Sequence, residues 1–553
     1  GKKFRYLSFD STCLVEEDEE PPGGLNREAL EIALEVALLL GMDPVDQIQI
    51  MRKLVIDGSN TSGFQRTALI ARGGQIETEE GVVRLGDLML EEESAKRVEE
   101  QNGEVIYSLD RIGIPLVEIS TLPDIKTPDQ ARSVAAKIGM LLRSTGKVKR
   151  GIGTIRQDIN ISINSGARVE LKGVQNLDDI EKIIQIEIGR QKNLIKIQRA
   201  LDSKNVEMKT PIEVTDVFRE TSSEVIRKEI GQNGIVMALS LEGFQGILGE
   251  VIAPNRRLGT ELSDYAKKYG AGGIFHTDEL PGYGITQEEI DEIRKRIEIK
   301  NESAFAIVAA GEKVANEAIS AVLDRAKECL EKVPEETRGV KEDGTSRYLR
   351  PLPGEARMYP ETDVLPVKVK TEGVRTIETL EAKAERYNKD LGVGKDLSKQ
   401  MAYSERMPLF EKAVEIGVEP TFAIDILENK YTELRREKVP VENISDKNFE
   451  EIFQLITEKE LMREGITDVI KLISENKFPT VKDAMEEMGW MVVGEEGVQE
   501  IIEQIVKNNE EKIKIEGKGS FSALMGECMA ELRGKTKGSV VSSILQEEIE
   551  KRL

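Results

Sequence analysis

The chain has 553 residues, of which 39% are hydrophobic, 32% charged and 4% aromatic, and 78 basic residues against 101 acidic ones leave a formal net charge of −23. That length implies about three or four domains, the balance is too apolar for wholesale disorder, and an acidic overall field disfavours unspecific nucleic-acid binding. No run approaches the roughly 20 apolar residues that cross a bilayer, and Gly1-Lys2-Lys3-Phe4-Arg5-Tyr6 leads into no signal-peptide core, so a soluble, cytoplasmic protein is expected.

From about residue 1 to 218, short β-type runs alternate with helices. Asn26 is placed to cap a helix over Arg27 to Leu40 that Gly41 ends, and Leu30, Ile32, Ala33, Val36 and Leu39 give it an apolar stripe. Further helices are expected over Pro128 to Thr145 and Leu177 to Leu201. Val82–Leu85, Pro115–Ile119, Ile159–Ile163 and Arg168–Leu171 read as strands. Residues 219–347 change texture, with Gly-punctuated strands such as Phe244–Leu248 followed by helices over Thr286–Ile297 and Gly311–Glu331, and read as an inserted α+β module. The Pro- and Gly-rich segment 348–371 is expected to return the chain to the first domain. Beyond residue 372 strand signals vanish. A helical domain is expected over 372–484, broken at Gly392-Val393-Gly394, Gly417, Pro440 and Pro479, and a helical tail over 485–553. Within that tail Phe521, Leu524, Met525, Cys528, Met529 and Leu532 recur at helical spacing, which makes Cys528 a core residue.

The chemistry available is narrow. Three cysteines lie hundreds of residues apart, which argues against a local zinc cluster or a disulfide framework. A single histidine, His276, leaves carboxylates, lysines, arginines, backbone groups or a bound ion to carry any reaction. Glu118 interrupts an otherwise apolar strand, where a buried ionised group needs a cation or hydrogen bonds, so the pattern makes it either a metal-ligand candidate or an edge-strand carboxylate facing water. Glu91-Glu92-Glu93 closes another apolar stretch. In Gly153 to Ser162, alternation puts Arg156, Asp158, Asn160 and Ser162 on one face, and in the next strand Arg168, Glu170 and Lys172 share a face; a hairpin of the two would gather anion-binding and carboxylate groups. The loop Gly58 to Thr67, containing Gly63-Phe64-Gln65-Arg66, suits close backbone approach to a ligand. Neither a phosphate-binding P-loop nor a dinucleotide fingerprint occurs at these glycines. Arg143 to Lys172 holds seven basic residues against two acidic ones, and a second basic stretch joins Lys512, Lys514, Lys518, Arg533, Lys535 and Lys537.

Gly63-Phe64-Gln65-Arg66-Thr67, Leu90-Glu91-Glu92-Glu93, Arg111 to Ile119, Gly153 to Ser162, Val169-Glu170-Leu171-Lys172 and Ala356 to Asp363 together resemble the GatB/GatE family of tRNA-dependent amidotransferase subunits, in its archaeal branch. The resemblance spans essentially the whole chain. It implies a multidomain α+β fold: a mixed-sheet catalytic cradle, an inserted α+β module like that of bacterial aspartyl-tRNA synthetase, an all-α helical domain and an all-α YqeY-like tail. It also implies ATP-dependent phosphorylation of the glutamyl group of Glu-tRNA(Gln), followed by amidation with ammonia to give Gln-tRNA(Gln). The ammonia would come from an asparaginase-like partner, GatD, in a heterotetramer with two copies of each chain, and no membrane is involved.

By the same resemblance, Glu91 and Glu118 are the Mg²⁺ ligands, joined in the family by a histidine of an amino-terminal Gly-Leu-Glu-Ile-His motif that this sequence does not contain. The chain reads as an amino-terminally incomplete version, and His276 stands in the wrong context to replace that ligand. We expect Asp158, Asn160, Glu170 and Lys172 to complete the catalytic group. Gly63, Phe64, Gln65, Arg66, Arg156 and Arg168 are expected to bind ATP or the tRNA end, and the six basic residues of the tail the tRNA body. Two rival readings are a non-catalytic tRNA-binding scaffold, which would turn over no ATP, and an adenylate-forming synthetase relative, which would release pyrophosphate rather than ADP.

Overall fold

The computed structural model describes residues 3–101, 104–149, 153–204, 206, 208–300, 303–352, 358–461, 463–478, 480–488, 495–532, 536 and 538–553. They form two compact units, Gly1–Ile377 and Glu378–Leu553. No helix among the described residues is long and apolar enough to cross a membrane.

The first unit is built on a mainly antiparallel sheet whose central order is Pro115–Thr121, Gly81–Glu92, Phe64–Arg72, Ile50–Leu54 and Met358–Pro360. Its last strand comes from the far side of the insertion, so chain more than 300 residues downstream closes the sheet that the early residues begin. The helix Arg27–Leu39 lies on this sheet. Asn26 Oδ1 accepts from the Ala29 amide at 3.0 Å, and the small residues Ala29, Ala33 and Ala37, buried with Leu34 and Val36, let the helix sit close to the strands. Gly41 supplies the left-handed φ of +63° that turns the chain away.

A second sheet pairs Gln157–Ile161 with Val169–Val174 as the expected hairpin, then adds Glu336–Val340 in parallel and Ser346–Pro351. The chain therefore rejoins the hairpin from Glu336 onward. The first hairpin strand ends at Ile161, short of Ile163, because the Gly166 amide bonds back to the Ile163 carbonyl and Ser165 takes a left-handed φ of 63°. Behind the hairpin runs the helix Ile180–Asp202, preceded by a turn of 3₁₀-helix over Leu177–Asp179.

Between these elements the insertion forms a four-stranded sheet in the order Ile212–Glu213, Gly234–Leu241, Ala304–Gly311, Phe275–His276. Both faces are covered, which explains why its two long strands are apolar almost throughout. Met237, Leu239 and Leu241 pack against helices Leu258–Lys268 and Glu312–Glu331, while Val236, Ala238, Phe305 and Ile307 face Glu224–Gly231 and Gln287–Arg296. The expected strand over Phe244–Leu248 is instead a series of turns. Gly243 and Gly246 adopt φ of +84° and +76°, and Asp278 accepts from the Gly246 and Gly249 amides, so Phe244 and Leu248 are buried without belonging to a sheet.

The second unit is helical. Met407–Ile416 ends at Gly417 in the left-handed region, φ +103°, as the sequence suggests; Pro479 lies outside the described residues. In the tail, Leu524, Cys528 and Leu532 of the helix Phe521–Leu532 are buried against Val498, Ile502, Val541 and Leu545, with Phe521, Met525 and Met529 at the margin.

Candidate functional site

Strand register decides which side chains meet. Lys53 lies opposite Gln65, Thr67 opposite Glu91, and Glu91 opposite Leu116, so alternation puts Lys53, Gln65, Thr67, Glu91 and Glu118 on one face of the first sheet. Glu91 is buried and fully engaged there. Its Oε1 accepts from Lys53 Nζ at 3.0 Å and from Thr67 Oγ1 at 2.9 Å, and its Oε2 from Gln65 Nε2 at 3.3 Å. Gln65 is itself fixed by donating to the Glu92 carbonyl at 2.6 Å.

Glu118 sits diagonally across from Glu91. Desolvation pushes its carboxyl up to about 7, the Glu91 charge and a hydrogen bond to Glu91 add to that rise, Lys53 opposes it, and Asp158 adds a smaller push. The Glu118 side chain nonetheless keeps an open face toward solvent. We therefore attribute more of the shift to the neighbouring carboxylates than to burial, because water at that face moderates desolvation more than a contact between adjacent acids. The two carboxyls that the sequence singled out, 27 positions apart, thus converge on one point.

The hairpin borders this pair. Lys172 Nζ bonds to Asp158 and lies 3.3 Å from Glu170; burial alone would depress its ammonium, but the two carboxylates outweigh that and raise it. Glu170 also accepts from Thr337 Oγ1 at 2.8 Å, across the strand that returns from the insertion. Asn160 stands opposite Glu170 and is exposed. Arg156 precedes the strand and reaches Glu93 at 2.5 Å, so it binds the acidic run, while Lys172 pairs with Asp158. Arg168 is exposed just before the second strand.

The loop residues split by role. Gly63 turns with φ +75° and donates to the Asn60 carbonyl; Phe64 lies under the Arg52 guanidinium at 4.6 Å; Arg66 donates to Glu92 at 2.8 Å. Gln65 thus buttresses a candidate ligand, and Arg66 is held by a carboxylate in this structure.

Sequence reasoning missed Lys53, Thr67 and Arg52. Arg52 donates to Glu361 at 2.9 and 2.5 Å and to Asp363 at 3.1 Å, which ties the returning segment to the sheet; chiefly through Glu361, its guanidinium is held well above the ordinary arginine range. The signal for Lys53 was available only as strand alternation once the pairing of Ile50–Leu54 with Phe64–Arg72 was known, whereas Thr67 closed the Gly63-to-Thr67 motif without being assigned a role.

Among the described residues no group of three or more His, Cys, Asp or Glu side chains could hold a metal ion. The pair that does converge offers hard oxygen donors, the kind Mg²⁺ takes one or two at a time, with water and phosphate oxygens completing its shell. His276 is elsewhere, buried in the insertion sheet against Gly259, where a Cβ would overlap its ring, and burial lowers its tendency to protonate. In the second unit Lys514 and Lys518 are exposed and Lys512 half-buried, with Lys518 paired to Glu550 at 2.8 Å; Arg533, Lys535 and Lys537 lie outside the described residues.

Comparison with known proteins matches these parts in order. Residues 11–228 match the GatB/GatE catalytic domain, residues 226–319 the GAD domain, and residues 408–549 a GatB domain. The chain is similar to the GatE component of the glutamyl-tRNA(Gln) amidotransferase of Haloarcula marismortui, 52% identical over 100% of this chain and 89% of the relative. It is likewise similar to the components of that name from Natronomonas pharaonis, 53% identical with the same coverage, and Methanocaldococcus jannaschii, 48% identical over 99% of this chain and 89% of the relative. With such identity along its whole length, a mixed-sheet domain carrying the carboxylate pair, a GAD insertion and a helical carboxy-terminal unit, the chain belongs to the GatE family of glutamyl-tRNA(Gln) amidotransferase components.

Proposed function

We propose that this chain is the tRNA-binding, amide-forming component of a tRNA-dependent amidotransferase that converts Glu-tRNA(Gln) to Gln-tRNA(Gln) using ATP and ammonia. The observation that carries the reading is the meeting of Glu91 and Glu118 beside Lys53 and the Asp158–Lys172–Glu170 cluster. The finer architecture and partners are part of the same reading. The insertion corresponds to the aspartyl-tRNA synthetase-like module, the helical unit to a tRNA-gripping arm with a YqeY-like tail, and ammonia would arrive from an asparaginase-like GatD partner in a complex with two copies of each chain.

The substrate explains the residues. A glutamyl carboxylate is a poor electrophile. Attack of its oxygen on the γ-phosphorus of ATP forms an acyl phosphate and releases ADP; ammonia then attacks the acyl carbon, and phosphate departs with the oxygen. Glu91 and Glu118 would hold Mg²⁺, which would offset phosphate charge and orient the transferred group. Thr67 and Gln65 fix the Glu91 carboxylate. Lys172, Arg156 and Arg168 supply positive charge toward phosphate or the tRNA end, while Asp158, Asn160 and Glu170 orient water or the incoming groups.

The test is Glu118→Gln in the assembled complex. ADP formation on Glu-tRNA(Gln) should fall by on the order of 10²-fold or more, as when a preorganised charged group is removed from a transition state, while the Kd for the tRNA changes little. Undiminished ADP formation would refute the assignment.

A further inference from the structure

Six acidic groups around the site are matched to protein cations: Glu92 to Arg66, Glu93 to Arg156, Asp158 and Glu170 to Lys172, Glu361 and Asp363 to Arg52. All of these contacts are guanidinium pairs or a lysine clasped between two acids. Lys53 differs in position. Its ammonium lies 3.0 Å from Glu91 Oε1, and its charge also acts on Glu118, so it is the cation that serves the converging carboxylate pair.

A single positive charge is a poor match for that pair. Two adjacent carboxylates carry two negative charges when both ionise, and a monovalent ammonium leaves one uncompensated. A divalent ion satisfies both. Glu91 needs no help from Lys53 to keep its orientation, because Thr67 Oγ1 and Gln65 Nε2 hold its two oxygens independently. Lys53 also has a route out. Its side chain is 28% exposed, and a lysine ammonium on four methylenes has no fixed fork to lose when it moves.

We infer that Lys53 is a tethered counter-ion that occupies the carboxylate pair when no divalent ion is bound and yields it when one enters. This rests on the reading of Glu91 and Glu118 as the ion's ligands. The displaced ammonium, still anchored on the strand beside the site, then meets the phosphate oxygens that the ion attracts. Lys53 therefore opposes the ion alone while favouring the ion and a polyphosphate together.

The experiment measures Mn²⁺ binding to the full chain, without nucleotide, by the electron paramagnetic resonance signal of free Mn²⁺. Lys53→Met should bind Mn²⁺ on the order of 30-fold more tightly than the wild type, the scale expected even at the dielectric of water for removing a unit charge about 4 Å from a divalent ion. Lys53→Arg, which keeps the charge and adds a fixed fork, should bind Mn²⁺ no more tightly than the wild type, and Thr67→Val, which removes a support of Glu91, should bind more weakly. Lys53→Gln with a wild-type thermal transition guards against a folding artefact and should follow Lys53→Met. Equal or weaker binding by both neutral variants overturns the inference. If wild-type Mn²⁺ binding is unchanged by Glu118→Gln, the reading of the carboxylates as ligands fails as well, a separate outcome from the failure of Lys53 alone.

Discussion

Glu261 is the anion on which the junction between the cradle and its insertion turns, and its charge can be removed at constant shape. It is completely buried. Arg338 donates to both its oxygens at 2.9 and 3.0 Å, Arg190 donates at 2.5 Å, and Arg256 and Arg325 stand 3.7 Å away. Arg190 comes from the helix behind the hairpin and Arg338 from the returning strand, whereas Glu261, Arg256 and Arg325 belong to the insertion. Burial alone would raise the Glu261 carboxyl, but the four arginines, led by Arg338, outweigh it and hold it well below the usual carboxylate range.

Glu261→Gln would leave Arg190 with Glu187, Arg338 with Glu336 and Arg256 with Asp264, and Arg325 without its ion-pair partner and with only the more distant charge of Glu336; it would also turn an amide N–H₂ toward donors. Breaking one member of a buried ion group costs about 3–5 kcal/mol. At about 4 kcal/mol, a cooperative unit spanning Gly1–Ile377, with about 2.1 cal/mol/K of unfolding entropy per residue, loses about 5 °C in Tm. Calorimetry on the two proteins at neutral pH reads this directly. The sign with pH follows from the depressed carboxyl: its contribution is complete above the unfolded value near 4.5 and is lost only as pH falls through the much lower folded value, so the difference between the two proteins should persist undiminished from pH 8 to pH 5. A loss below about 1 °C, or one that vanishes by pH 5, would show that the arginines do not depend on this charge.

Three further outcomes are expected. Cys13 is exposed while Cys329 and Cys528 are buried, and burial pushes the Cys528 thiol up to about 11, so an aromatic disulfide reagent should titrate one thiol in the native protein and three in denaturant. Because Glu118 is raised to about 7 from 4.5, the fold binds an extra proton between those values and loses stability as pH rises through them; in chelator, urea unfolding should show this fall, and Glu118→Gln should flatten it. Lys512→Glu with Lys514→Glu should weaken tRNA binding and reduce its dependence on salt by about one phosphate contact for each lysine engaged, read as the slope of log affinity against log salt concentration.

What could be read from sequence was whatever leaves a local trace. The Arg27–Leu39 helix announced itself through Asn26, its apolar spacing and Gly41, and the tail helix through the stripe from Phe521 to Leu532. Glu118 stood out because a carboxylate in an apolar strand violates the expected pattern, and register then brought it to Glu91. Lys53 left no such trace: a lysine in Met51-Arg52-Lys53-Leu54 reads as a solvent-facing position, and its partner lies 38 residues away. Phe244–Leu248 misled for a related reason, since its apolar residues are buried by turns that Asp278, 29 to 32 residues downstream, holds in place.

The Glu261 group shows the limit most clearly. Glu187 and Arg190 sit on a helix whose charged positions look like a wet face, and that face is covered by the insertion, with Arg190 and Arg338 meeting Glu261 across separations of 71 and 77 residues. Periodicity identifies which side of a helix is polar but not whether water or another domain meets it. Opposite charges contributed by the cradle and its insertion carry no periodic signature. The same holds at the candidate site, where hydrophobic alternation set the strands and long-range charge matching set which lysine stands over the carboxylate pair.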